Sequence, residues 1–103
     1  MATKKKSVYE QLGYPDANEM LVKARLVSAI AEQIKRRHLV QTEAAALLGF
    51  SQPKLSNLLR GQFRGVSERK LMDCLTKLGR DIEIIVKAAP RSRREGRISI
   101  ALA

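Results

Sequence analysis

The stretch TEAAALLGFSQPKLSNLLRG, residues 42–61, decides how this chain folds. It sets two short apolar-periodic segments back to back across Gly49. Isolated helices shorter than roughly 12 residues are marginal in water, so each segment must be held by the other and by its flanks. Ala44, Ala45, Leu47 and Leu48 give the first segment its apolar side, and Gly49 suits the left-handed position that ends a helix. Ser51 follows as an N-cap and Pro53 fits a first turn, where a missing amide costs little. Leu55, Leu58 and Leu59 then form an inward stripe up to Gly61. Two helices joined by a tight glycine turn are a helix-turn-helix. The small Ala45 lets the helices approach, and Leu55 closes their joint core.

Working outward, the tetrapeptide DANE at 16–19 reads as a capping box in which Asp16 accepts from the Glu19 amide while Glu19 reaches back. Met20, Ala24, Val27, Ala31 and Ile34 recur at helical spacing, widened by Leu21, Leu26 and Ile30, so residues 17–37 read as one amphipathic helix. Its polar side carries Lys23, Arg25, Lys35 and Arg36. On the other flank, Ser67 caps a helix whose Leu71, Met72, Leu75 and Leu78 recur before Gly79 ends it.

The period then changes to two. In DIEIIVKAA the residues Ile82, Ile84 and Val86 alternate with Glu83, Ile85 and Lys87, and RISIALA repeats the pattern with Ile98, Ile100 and Leu102. Both read as strands, 81–88 and 97–102, with the arginine-rich PRSRREG between them. An uncovered strand edge invites pairing with another chain. Ile82, Ile84, Ile85 and Val86 are therefore the candidate dimer interface, against an intrachain hairpin as the alternative. The expected organisation is a basic arm over 1–15, a helix-turn-helix domain over 16–80 and a strand extension over 81–103. Val8, Tyr9, Leu12 and Tyr14 would lie across the domain as a cover.

Twenty Lys and Arg against ten Asp and Glu give a formal charge of +10, which favours a polyanionic partner. From Lys35 to Lys70 there are eight Lys or Arg, opposed by Glu43 and Glu68 alone, so the excess is centred on the motif. A membrane is disfavoured because no apolar run approaches the roughly 20 residues of a spanning helix. The N-terminal lysines lack the apolar stretch of a secretory signal, which makes the cytoplasm the expected location. One cysteine, Cys74, and one histidine, His38, exclude an internal disulfide and a Cys/His zinc cluster within one chain. No metal or cofactor is expected. No paired acid and base and no phosphate-cradling glycine loop appears, so an enzyme is not expected.

The helix opened by Ser51 can enter the major groove of double-stranded DNA, about 12 Å wide, and present polar groups to base edges. Gln52, Lys54, Ser56 and Asn57 are the candidate base-reading residues. Gln41, Ser51, Arg60, Gln62 and Arg64 are the candidate phosphate contacts. A different class stays open: a protein-interaction module in which the motif is only scaffold. RNA is disfavoured by the shortage of aromatic stacking platforms.

QTEAAALLGFSQPKLSNLLRG resembles the Xre/Cro-type helix-turn-helix family. The order of YEQLGYPDANEMLVKARL, that motif, and LTKLGRDIEIIV resembles its HigA-like antitoxin branch, over residues 8–87. The resemblance implies a mainly α, lambda-repressor-like bundle of about five helices, here followed by C-terminal strands or a hairpin. It also implies a homodimer on an inverted-repeat operator and a RelE/HigB-like ribonuclease toxin as partner. By position, Gln41 matches the phosphate-facing glutamine, and Gln52, Lys54, Ser56 and Asn57 match the reading surface. One departure stands out: Val40 occupies the place where the family commonly has a capping Thr, a loss of about 1 kcal/mol.

Overall fold

The computed structural model describes residues 16–103, so the lysine arm and the proposed cover of Val8, Tyr9, Leu12 and Tyr14 lie outside the described residues. Four helices follow one another: α1 (Ala17–Arg36), α2 (Gln41–Leu48), α3 (Gln52–Leu59) and α4 (Glu68–Lys77). Each ends in the same way. The backbone turns left-handed one or two residues beyond the helix, and the next amide reaches back to a carbonyl of the last turn: Leu39 to Ile34, Phe50 to Ala45, Gln62 to Asn57 and Arg80 to Leu75, at 2.9–3.1 Å. Gly49, Gly61 and Gly79 take that conformation at three of the ends, and His38 takes it at the first, with φ 55°. A side chain there is strained, because the β-carbon crowds the following carbonyl.

The starts differ more. Ser51 and Ser67 cap as expected, their hydroxyl oxygens accepting from the amides of Lys54 and Lys70 at 3.2 and 3.1 Å. Asp16 does not cap α1; its carboxylate pairs with Arg64, and Glu19 turns to Lys23 instead of reaching back. A carboxylate pairs with a guanidinium or ammonium with charge on both sides, and both cations are within reach. Val40, with no side-chain oxygen, supports α2 through half of a capping box, its own amide donating to Glu43 Oε1 at 3.0 Å.

The core is one hydrophobic cluster, aliphatic but for Phe63 among its buried residues. α1 lies along α4, and α2 and α3 pack against one another and against that pair. Ile30, Leu48, Leu55, Leu58, Leu71 and Cys74 are fully enclosed. Each large side chain of this kind contributes about 1.5–3 kcal/mol relative to an exposed one. The inward stripe of α1 departs from the sequence reading at three positions. Ala31 is exposed, and Val22 and Lys23 are buried with the core. Met20, Lys23, Val27, Ile30 and Ile34 keep the alternating three- and four-residue step of a core-facing row, and Lys23 stands where that row wants an apolar side chain.

The expected five helices with C-terminal strands are overturned: the described residues form four helices and no strand. Alternation of apolar and polar residues marks an extended chain, but a strand also needs a neighbour to take its amides and carbonyls. Residues 81–103 form no such ladder among the described residues. The segment runs out to a turn in which the Arg93 amide donates to Pro90 O at 3.1 Å. It then returns to set the Ala103 carbonyl 3.5 Å from Arg80 Nη2, with Ile100 half-buried against the core. Ile84, Ile85 and Val86 remain 76%, 72% and 94% exposed.

Candidate nucleic-acid interface

The turn between α2 and α3 is closed from three sides. Leu48 and Leu55, on either side of it, are fully enclosed in the core, and the small Ala45 is buried with them. Gly49, at φ 76°, supplies the left-handed residue, and a β-carbon there would meet Lys70 Nζ at 3.6 Å. Lys70 reaches over from α4, donates to Leu48 O at 3.0 Å and lies 4.9 Å from the centre of the Phe50 ring. A cation at the C-terminal end of α2 is favoured by the partial negative charge of the unpaired carbonyls.

α3 divides cleanly. Leu55 and Leu58 are buried, whereas Gln52, Pro53 and Lys54 are exposed and Ser56 and Asn57 are half-exposed. The first turn of α3 has no acidic residue, so the partial positive charge of its N-terminus is unopposed locally. Gln52, Lys54, Ser56 and Asn57 are thus brought together on one short helix. Asn57 is not isolated: Arg60 Nη2 donates to its Oδ1, which leaves the amide nitrogen as its outward donor.

The residues assigned to phosphate are spread around that helix. Gln41 is the exposed first residue of α2, and Ser51 is exposed with its hydroxyl oxygen engaged by the Lys54 amide. Arg60 and Gln62 are exposed just beyond α3. Arg64 is about half-exposed and held to the Asp16 carboxylate. Phe63 and Val66 are buried on either side of it and anchor the α3–α4 loop.

Ile82, Ile84, Ile85 and Val86 are not part of this surface. Ile82 and Ile84 line a shallow groove on the outer face of α4 with Arg69, Met72, Asp73 and Thr76. Among the described residues, no group of three or more His, Cys, Asp or Glu converges as a metal site would require, and no helix is long and apolar enough to cross a membrane.

Two supports of the interface escaped the sequence reading. One is Lys70 over the turn. The other is Lys23, whose signal was its place in the three-and-four row of α1.

Comparison with known proteins agrees with this geometry. A family model described as a helix-turn-helix domain matches residues 8–87. A solved structure assigned to the XRE family of transcriptional regulators is similar to the chain with a TM-score of 0.78 and 44% sequence identity. That match covers 86% of this chain and 100% of the other. None of the curated proteins matches. With four-fifths of its length inside the family model, the chain belongs to the Xre-type helix-turn-helix family.

Proposed function

We propose that the protein is a sequence-specific DNA-binding transcriptional regulator acting as a repressor in the cytoplasm. The observation that carries this reading is the split face of α3: its leucines hold the fold, while Gln52, Lys54, Ser56 and Asn57 stand outward on a helix end without acidic neighbours. Gln and Asn suit adenine and Lys suits guanine in the major groove. Gln41, Ser51, Arg60, Gln62 and Arg64 hold the flanking phosphates and set the register.

Residues 16–80 form the reading domain in this proposal, and residues 81–103 bring two copies together. Apolar side chains exposed as far as Val86 is, at 94%, gain from meeting a partner surface. Ile82, Ile84, Ile85 and Val86 meet their copies across a two-fold, which sets two reading helices about 34 Å apart on an inverted-repeat operator. The finer reading is an antitoxin of HigA-like type that represses its own operon and neutralises a RelE/HigB-like toxin. The exposed apolar tail also favours a second reading, a protein-interaction module with the motif as scaffold.

Anisotropy on DNA from immediately upstream of the gene, against a scrambled duplex at two salt concentrations, tests the reading. A preference for the upstream duplex that persists as salt rises supports it, and Asn57→Ala should relax that preference by about 1–3 kcal/mol. Equal and steeply salt-sensitive binding to both duplexes refutes sequence-specific regulation. Sedimentation at micromolar concentration tests the pairing, and a monomer there excludes the homodimer.

A further inference from the structure

Among the described residues Lys23 is the one charged residue in the core, 4% exposed, and its surroundings tie the first helix to the loop that leaves the reading helix. Its Nζ donates to the backbone carbonyl of Arg64 at 2.7 Å. The same nitrogen lies 3.3 Å from Glu19 and 3.6 Å from Glu68. Arg64 is thereby held twice by α1 and the residue before it: its carbonyl by Lys23 from within, its guanidinium by Asp16 from outside. Phe63 and Val66 pin the loop on both sides.

An apolar residue would fill the Lys23 position at no cost in desolvation, and Glu19 and Glu68, both about half-exposed, would keep water as a partner. What an apolar residue cannot do is hold the Arg64 carbonyl. We infer that Lys23 is a positioning residue for DNA binding, which acts by setting the backbone of Arg64 so that its guanidinium meets a phosphate beside the reading helix. The inference rests on the DNA-binding reading above and adds to it a residue that never touches DNA.

The test is a double-mutant cycle on the upstream duplex, with Lys23→Met, Arg64→Ala and the double variant, each checked for helix content and thermal unfolding. Lys23→Met is expected to fold and to weaken binding about fivefold to tenfold, with the slope of log affinity against log salt reduced by about 0.9, as for loss of one phosphate contact. In the Arg64→Ala background the same substitution should change neither affinity nor slope. Additive losses, or an unchanged slope in Lys23→Met, would overturn the inference while leaving specific binding by the wild type intact. Equal binding of the wild type to upstream and scrambled duplexes would overturn both. Should Lys23→Met fail to fold, Lys23→Leu is read by the same non-additivity; Lys23→Gln, which keeps a donor for the carbonyl, should retain the wild-type affinity and slope, and a loss as large as that of Lys23→Leu would overturn the inference.

Discussion

Lys70 Nζ donates to the carbonyl oxygen of Leu48 at 3.0 Å while lying over the Phe50 ring, so a single side chain from α4 closes the turn between the two motif helices. A charged donor to a helix C-terminus, with a cation–π contact added, is worth more than a neutral hydrogen bond. Lys70→Met is expected to destabilise the fold by about 2 kcal/mol in urea unfolding. Unchanged stability would show that water serves the Leu48 carbonyl equally well.

Val40 opens α2 without a side-chain acceptor, although its backbone, at φ −78° and ψ 161°, has the extended shape an N-cap needs. It is 59% exposed, so little burial is lost by changing it. Val40→Thr should therefore add a cap and stabilise the protein by about 1 kcal/mol. The midpoint of denaturant unfolding measures this, at constant slope.

His38 is the only non-glycine residue with positive φ among the described residues. Glycine occupies the equivalent position after α2, α3 and α4, where the β-carbon penalty is absent. His38→Gly is expected to raise stability by about 1 kcal/mol, less the added freedom of the unfolded chain. A lower melting temperature in calorimetry would mean that the imidazole contributes something the backbone geometry does not show.

The Cys74 thiol is fully enclosed, and burial pushes its pKa above the ordinary thiol value; Lys70 and Lys77 lower it by less, and Asp73 adds a further small rise. The thiolate is the reactive species, so labelling by a thiol reagent at pH 8 should be slow in the native protein and fast in denaturant. The sign for stability follows. The unfolded chain loses this proton at lower pH than the folded one, so the thiol leaves stability unchanged below the ordinary thiol range and lowers it as pH rises above it. Rapid stoichiometric labelling without denaturant would contradict the burial.

Much of the helical frame was legible because helices announce their ends. Ser51, Ser67, Gly49, Gly61 and Gly79 each stand where the structure caps or stops a helix. Asp16 misled because a capping box and an ion-pair partner use the same carboxylate, and only the fold brings Arg64 to it. The alternation at 81–88 misled for another reason. It reports that a chain is extended, not that a neighbour pairs with it. Lys23 was placed on the polar side by its charge, although its spacing put it inward. At the interface, exposure of Gln52 and Lys54 followed from the leucine stripe of α3, whereas the contact of Arg60 with Asn57 depends on side-chain geometry that spacing alone does not give.

The division of α3 has a wider consequence. Leu55 and Leu58 answer to the interior, while Gln52, Pro53 and Lys54 are exposed to solvent. One eight-residue segment thus holds two vocabularies, one spelling the fold and the other addressed to whatever lies outside. Relatives can rewrite the second without disturbing the first, and divergence of partner preference needs no change of architecture.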